Sequence, residues 1–338
     1  MTGPRALRVL AAMAAVLTAM NLSFWLAGAA PRDVLARILA GTLGSSYGLA
    51  QTLAKATPVL WTGASVAVAL RAKLFNVGAE GQCLAGVLAA AVVGAALPAS
   101  LPGVVAVPAC LVAAALAGGA LGGFAGWLRG RFGTHEVLST LMLNGLVLVV
   151  VNWLYGGVLR DGAQVHTRDL AAGARLPVAG AYVRAFRGSG LNGSLVLALV
   201  ALAALGWYLD RTRGGLRIRA LGASPGAAEA LGIDPVRTTV RAMALAGALA
   251  GLAASHYVLG VKGYAEHGLG AGAGLTGIAV ALLGGARPVG VAFAAVLFGL
   301  LAQGALTVNA LVPSDALVVV QAATLIAVAA VGARSVAR

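Results

Sequence analysis

The acidic side chains are the first place to look for chemistry in this sequence, because proton relays, metal sites and general acid–base pairs all need them. The chain carries ten Asp and Glu residues, and nearly all of them fall in polar stretches or at the ends of apolar segments. Only Glu80 and Glu136 come close enough to an apolar segment to serve in a proton relay, and both also fit acids that stabilise helix N-termini. The acids therefore predict no proton relay and no paired carboxylates at a shared depth.

Histidine and cysteine do not form a metal-ligand cluster by their spacing. His135, beside Glu136, is typical of a polar residue at an interface, and the other three histidines have no ligand-spaced companions. Cys83 and Cys110 both fall inside apolar stretches, where a free cysteine is ordinary packing material. The sequence predicts no metal site and no disulfide.

Lysine is too scarce, and wrongly placed, to build a phosphate-binding loop. The three lysines are Lys55, Lys73 and Lys262, and none of them follows a glycine. The Gly-x-x-x-x-Gly-Lys-Ser/Thr loop that cradles nucleotide phosphates is therefore missing from the sequence. We expect the chain to be no enzyme: it should not hydrolyse ATP by itself, and it should bind no cofactor.

The elements that position these residues are apolar segments of helical length. Of the 338 residues, 60% are hydrophobic and only 10% are charged, which is more apolar than a soluble core requires. Several runs without a charge approach or exceed the roughly 18–20 residues with which a helix crosses about 30 Å of hydrocarbon. These runs are Val9–Ala30, Cys83–Ala96, Val104–Leu128, Val137–Tyr155, Leu195–Leu209, Ala242–Val261, Val289–Leu306 and Ala316–Ala333. The sequence predicts an all-α polytopic membrane protein, with residues 1–338 forming one transmembrane domain.

Glycine spacing predicts how these helices pack. The chain has 48 glycines. Gly118, Gly122 and Gly126 recur every four residues, as do Gly247 and Gly251. Small residues at this spacing let helix backbones approach closely in a membrane.

The net charge of +14 would suggest a nucleic-acid partner in a soluble protein. A membrane explains it better, because the basic clusters flank the apolar runs, as the positive-inside rule expects of cytoplasmic ends. The clusters are Arg5 and Arg8, Arg71 and Lys73, Arg129 and Arg131, Arg211 to Arg219, and Arg334 and Arg338. We expect both termini in the cytoplasm and no nucleic-acid partner. The first apolar run also resembles a signal sequence, although its length favours an uncleaved first helix.

The basic clusters also give the order of the segments along the chain. An outer segment at about 30–56 contains glycines and serines that make it a poor span, and a helix at about 57–72 follows it. Residues 156–193 are expected to form an extracytoplasmic loop, and residues 210–240 a cytoplasmic loop, short helix and loop. The first helix is expected at about 6–29, the third begins at about 83, and the fourth ends at Arg129–Arg131. The remaining helices are expected at about 136–155, 194–209, 242–261, 275–284, 289–307 and 316–333.

The short apolar segment at 275–284 decides the number of crossings. If it crosses the membrane, the chain has about ten transmembrane helices and ends in the cytoplasm, which agrees with Arg334 and Arg338. If it re-enters instead, parity places the C-terminus outside. We favour ten.

Four blocks of sequence occur in an order that is typical of one family. Residues 74–82, LFNVGAEGQ, resemble a "FNIGAEGQ" signature, and residues 133–144, GTHEVLSTLMLN, resemble "GTNEVISTIMLN", with His135 in place of an asparagine. Residues 219–233 and 274–284 resemble two further blocks. Together they resemble the ATP-binding cassette (ABC) permeases of the branched-chain amino acid, simple sugar and nucleoside group, and specifically its nucleoside-type branch.

This resemblance implies a solute path through the bundle. The polar, glycine-rich residues 76–82 fit either a path lining or a plain helix connection. Asn144 fits a solute contact or an interhelical hydrogen bond equally well. The residues expected along the path are Asn76, Glu80, Gln82, Asn144 and Thr276.

The resemblance also implies that residues 219–233 dock a separate ATPase, whereas composition alone fits an ordinary basic loop. A small-residue helix between Gly and Pro suits a cleft in another protein. ATP-driven closure of the ATPases would push this helix and rock the bundle in an alternating-access cycle. The expected docking residues are Arg219, Ala223, Ala227, Ala228, Glu229 and Gly232.

The implied protein is an importer subunit of the bacterial inner membrane. Its expected partners are an ABC ATPase that uses the ATP, a second homologous permease in a heterodimer, an extracytoplasmic solute-binding lipoprotein and the lipid bilayer. The expected solute is a nucleoside, with simple sugars next. The alternatives are an ATP-independent secondary transporter or channel, which would need a charge relay, and a membrane-embedded enzyme, for which no catalytic constellation stands out.

Overall fold

The computed structural model describes residues 28–309 continuously, together with Ala14, Thr18, residues 20–26, Leu311 and Ala323. Most of the predicted first helix, at 6–29, lies outside the described residues. So does the predicted last helix, at 316–333, apart from Ala323.

Helices make up the regular structure of the described part of the chain. The main helices are α1 (Pro31–Thr42), α2 (Ser46–Arg71), α3 (Ala79–Ala96), α4 (Gly103–Phe132), α5 (Glu136–Gly156), α6 (Ser194–Arg211), α7 (Arg213–Ala223), α8 (Pro225–Ala230), α9 (Pro235–Gly251), α10 (Ala273–Leu283) and α11 (Pro288–Val308). Seven of them are long and apolar enough to cross a membrane: α2, α3, α4, α5, α6, α9 with its extension to Lys262, and α11. The all-α polytopic class is confirmed, whereas seven spans do not by themselves establish the predicted number of about ten.

Helix α2 is the centre of the bundle and corrects one predicted boundary. The sequence placed a non-spanning segment at 30–56 and a helix only from 57, but the helix begins at Ser46. The serines that argued against a span instead start one, because the Ser45 hydroxyl caps the helix by accepting a hydrogen bond from Gly48 N. The helix continues through Pro58, and most of its length is buried among its neighbours.

The most extensive helix–helix contact joins α4 to α9 along their glycines. A Cβ on Gly118 would fall on the carbonyl oxygen of Gly247, and a Cβ on Gly247 would fall on the carbonyl oxygen of Gly118. Gly122 meets Met243 in the same way, and Gly251 meets Ala114. The close approach predicted from glycine spacing is confirmed, and the two glycine stripes are each other's partners.

Residues 210–240 contain more helix than the sequence suggested. In place of a loop, a short helix and a loop, α7, α8 and the start of α9 follow one another with short breaks. Each begins at a side-chain cap, because Thr212, Ser224 and Asp234 accept hydrogen bonds from backbone N–H groups three residues later. The Ser224-Pro225 and Asp234-Pro235 pairs, each a cap followed by Pro at the first helical position, were the signal for these starts.

The polar stretch 157–193 folds over the opposite end of the bundle from residues 210–240. Gly190 N donates to Gln51 Oε1 in the first turns of α2, at 3.1 Å. At the other end of α2, Gly222 of α7 packs against the Arg71 carbonyl so closely that a Cβ would not fit. The two predicted loops are therefore separated by the whole length of α2.

Candidate functional site

The segment between α2 and α3 folds back into the bundle as non-helical backbone. Asn76 Nδ2 donates to Ser65 Oγ at 3.2 Å, and Ser65 lies about 9 Å along the α2 axis from Arg71 at the helix rise of roughly 1.5 Å per residue. Asn76 and Gln82 also exchange two side-chain amide hydrogen bonds, at 2.8 and 3.1 Å. Both side chains are buried and pair with each other in this conformation.

Asn144, a residue of α5, holds this segment in place through two hydrogen bonds. Its Oδ1 accepts a hydrogen bond from Gly81 N at 2.8 Å, and its Nδ2 donates to the Val77 carbonyl at 2.9 Å. In this conformation the side chain makes hydrogen bonds within the bundle, one of the two roles that the sequence left open, and its contact with a solute stays a prediction. Its amide holds the start of α3 against α5.

Glu80 stabilises a helix N-terminus, but the helix is not its own. The carboxylate of Glu80 lies in the first turn of α3 and accepts hydrogen bonds from Gly272 N at 2.5 Å and Gly274 N at 2.7 Å. These N–H groups open α10, whose positive dipole end favours a negative charge. The N-termini of α3 and α10 therefore meet at one carboxylate.

The segment that contains α10 runs from one end of the bundle to the other. Gly263 accepts a hydrogen bond from Leu170 N in the 157–193 stretch. Thr62 Oγ1, in the middle of α2, donates to the Ala273 carbonyl at 2.8 Å, and Arg71 Nε at the far end of α2 donates to the Ala286 carbonyl at 2.9 Å. The short helix predicted at 275–284 is thus the helical half of a segment that runs along the bundle, and the other half is non-helical. That this broken segment crosses the membrane stays a prediction.

Glycines allow that non-helical half to turn. Gly268, Gly270 and Gly272 all have positive φ, a conformation that other residues rarely adopt. His267, Gly268, Ala271 and Gly272 are exposed in this chain. Thr276 is half-buried one turn into α10, and its Oγ1 donates to the Gly272 carbonyl at 2.8 Å. We call residues 267–272, Glu80 and Thr276 the broken-span junction.

The predicted path residues therefore separate into two groups. Glu80 and Thr276 are half-buried and belong to the broken-span junction. Asn76, Gln82 and Asn144 form the hydrogen-bonded support behind it, around the segment that leads into α3. The sequence indicated that all five belong together, and they do come together, but it could not separate the exposed groups from the buried support.

The predicted docking residues lie on α7, α8 and the turn after them. Ala223, Ala227, Glu229 and Gly232 are exposed, and Gly232 has a φ of +75°. The neighbouring Leu231 is 79% exposed. The remaining two residues differ: Arg219 is half-buried, and Ala228 is 1% exposed and packs inside the chain.

A cleft of about 370 Å³ separates this docking segment from the ends of α2 and α4. Its walls include Lys73, Arg129, Pro225 and Val236. Arg129 is held there by an ion pair to Glu136 at 3.4 Å and by a hydrogen bond to the Thr134 carbonyl. Glu136, the second acid considered for a relay, therefore ties α4 to α5.

No group of three or more potential metal ligands occurs among the residues that the structure describes. Sequence reasoning did miss one buried polar cluster, where α2 and α6 meet a π-helical stretch, Ser255–Lys262. Trp61 Nε1 donates to Ser194 Oγ, which lies 2.6 Å from Ser255 Oγ. The isolated serines in apolar helices were the only sequence signal for this cluster.

Known proteins of one family are similar to this chain in sequence. The family model described as the permease component of the branched-chain amino acid transport system matches residues 48–329. The guanosine ABC transporter permease protein NupP of Bacillus subtilis is 34% identical over 86% of this chain and 83% of its own length. The nucleoside ABC transporter permease protein NupB of Lactococcus lactis is 32% identical over 78% of this chain and 73% of its own.

A more distant relative carries a different solute in its name. The glucose ABC transporter permease protein TsgB13 of Haloferax volcanii is 29% identical over 95% of this chain and 85% of its own length. No solved structure matches the chain.

Proposed function

The chain belongs to the permease family of the branched-chain amino acid transport system, and from this premise we propose that it is the membrane-spanning subunit of an ABC importer for nucleosides. Family membership implies ATPase and binding-protein partners. The ATP is then used by a separate ATPase, and this chain binds no cofactor. The proposed location is the bacterial inner membrane, with both termini in the cytoplasm.

The observation that carries the proposal is the exposure of the broken-span junction. Backbone polar groups that lack helical partners cannot face lipid, because each one left unsatisfied in hydrocarbon costs several kcal/mol. Such backbone is tolerated only where protein or a water-filled cavity covers it. The exposed backbone at His267, Gly268, Ala271 and Gly272 therefore suits a water-filled path that a second, homologous permease closes from the other side.

A polar, uncharged solute fits this junction better than an ion. The Glu80 carboxylate is already engaged by two backbone N–H groups of α10. The Thr276 hydroxyl can still accept a hydrogen bond while it donates to the Gly272 carbonyl. The Gly268 N–H and the Ala271 carbonyl make no backbone hydrogen bond, so these groups remain as partners for a hydroxyl-rich solute. Two relatives are named for nucleosides or guanosine, which favours a nucleoside over the simple sugar named for the third.

The docking segment fits the ATPase side of the proposal. Helix α8 is short and exposed except for Ala228, and it presents Ala227 and Glu229 outward. Gly222 of the preceding α7 packs directly on the end of α2. A force on α8 would therefore be transmitted to α2 through this backbone contact, where no flexible side chain can absorb the movement.

Reconstitution tests the function. The chain, co-expressed with its partner permease and ATPase, is expected to co-purify with both and to support ATP-dependent guanosine uptake in proteoliposomes. Uptake that proceeds without ATP would contradict the proposal and indicate a secondary transporter or channel. An ATPase that neither binds nor is stimulated would contradict it as well.

Cysteine accessibility tests the path. Ala271→Cys and Thr276→Cys are expected to react with a charged, water-soluble thiol reagent in the assembled transporter, and guanosine should slow the reaction. The native Cys83 and Cys110 are buried and give a low background. Met142→Cys is the matched control, because Met142 is 69% exposed on the apolar surface of α5, where lipid excludes the reagent. Equal labelling of all three positions would contradict the assignment of Ala271 and Thr276 to a water-filled solute path.

A further inference from the structure

The stretch of residues 157–193 carries a charge that its predicted location does not explain. It contains five arginines and two aspartates, a net charge of +3. It lies at the end of the bundle opposite the basic docking segment, where the positive-inside rule predicts few basic residues. Arg160, Arg168, Arg184 and Arg187 are all exposed. Membrane topology does not explain this positive charge, whereas an acidic binding partner would explain it.

Two of these arginines follow closely after an exposed aromatic side chain. Tyr182 ends a single helical turn, Ala179–Tyr182, and is 79% exposed, and Val183 beside it is 43% exposed. Arg184 and Arg187 follow, and neither has an ion pair within the described part of the chain. We call Tyr182, Val183, Arg184 and Arg187 the outer patch. Tyr and Arg are the residue types most enriched at the energetic centres of protein interfaces.

The outer patch is held rigidly from below. Phe186, between the two arginines, packs against Ala50 and Ala54 of α2 and against Leu191. Ser189 Oγ donates to the Phe186 carbonyl at 2.7 Å, and Ala179 N donates to the Leu191 carbonyl at 2.8 Å. A surface fixed in this way loses little conformational entropy when a partner binds.

The position of the patch favours a protein partner over lipid. Its support, through Phe186, is the first part of α2, a helix that is mostly buried among its neighbours. The patch therefore lies over the inner helices of the bundle and not over α5, which is mostly exposed in this chain. A lipid headgroup would meet that exposed helix first.

We propose that the outer patch is the docking surface for an acidic face of the solute-binding protein, an inference that rests on the proposed importer function. Tyr182 would enter a pocket of that protein, and Arg184 and Arg187 would pair with its carboxylates. Charges at an interface rim mainly speed and orient the encounter, whereas a buried aromatic anchor slows dissociation.

Charge reversal in the reconstituted transporter tests this inference. The double variant Arg184→Glu and Arg187→Glu is expected to weaken binding of the cognate binding protein at least about tenfold, or about 1.4 kcal/mol. The salt dependence of binding should also flatten. Tyr182→Ala should raise the dissociation rate. ATP hydrolysis without binding protein should stay at the wild-type rate in all variants. The matched control is Arg160→Glu with Arg168→Glu, which makes the same charge change outside the patch and should alter affinity less than about threefold.

Each other result has a definite meaning. Wild-type affinity in the Arg184 and Arg187 variant, or an equal loss in the control, overturns the assignment to the outer patch while the importer function stands. Normal binding-protein affinity combined with a lost preference for anionic over zwitterionic vesicles assigns the arginines to lipid headgroups and also overturns it. A wild-type transporter that binds no binding protein overturns the proposed function itself.

Discussion

Replacing Ala227 with tryptophan is expected to lower ATP-driven guanosine uptake at least about tenfold while the chain itself stays folded. Ala227 is exposed on α8, so a larger side chain can point into solvent and mainly changes what the segment presents to a partner. A large side chain would prevent α8 from docking in the cleft of an ATPase, because well-packed contacts tolerate added volume poorly. Glu229→Trp should act in the same direction.

The measurement is uptake beside ATP hydrolysis in the same proteoliposomes, because a docking defect separates the two. Ala163→Trp is the matched control, since Ala163 is an equally exposed alanine at the other end of the bundle. Ala228→Trp should instead unfold α8 locally, because Ala228 is 1% exposed. Normal coupling of uptake to hydrolysis in both the Ala227 and the Glu229 variant would remove the docking assignment.

Replacing Gly118 or Gly247 with valine is expected to abolish correct folding of the bundle. A Cβ at either position falls on a backbone carbonyl oxygen of the facing helix. Backbone cannot turn aside as a flexible side chain can, so α4 and α9 must move apart along their whole contact. Overpacking costs typically about 1–3 kcal/mol even where side chains can adjust, and loss of a close helix–helix contact in a membrane adds to this.

The measurement is the monodisperse fraction after detergent extraction, together with the thermal midpoint. Gly145→Val is the matched control: Gly145 is also inside a membrane-spanning helix, but a Cβ there meets nothing within 4 Å. We expect at least a tenfold loss of monodisperse protein for Gly118→Val and Gly247→Val, and little change for Gly145→Val. Equal yields for the three variants would show that the glycine contact does not determine the fold.

The errors of the sequence-based predictions have a common physical origin. The start of α2, helix α7 and the start of α9 were missed where Ser45, Thr212 and Asp234 cap a helix. Serine, threonine and aspartate are poor residues inside a helix and good ones at its N-cap, since their side chains bond to the backbone. Composition does not distinguish a residue inside a helix from one at its N-cap. The position of the cap in the structure makes that distinction.

The family prediction succeeded for the opposite reason. The blocks at 74–82 and 133–144 are local runs of sequence, and the family match spans residues 48–329. The blocks could not show which of their polar residues are exposed and which are buried. Asn76 and Gln82 are predicted along the path, and in this conformation they are buried and bonded to each other, so their contact with a solute stays a prediction.

The sequence by itself determined that this chain is a polytopic helical membrane protein, which family it belongs to, and which helices carry glycine contacts. Hydrophobic length, charge at segment ends and residue spacing are local properties, and the bilayer acts on each segment separately. Only the tertiary structure decided that Glu80 closes the N-terminus of α10, 192 residues away, and that Asn144 bonds to Gly81. These partners are chosen by how the helices pack, and helix packing depends on surfaces that no single segment contains.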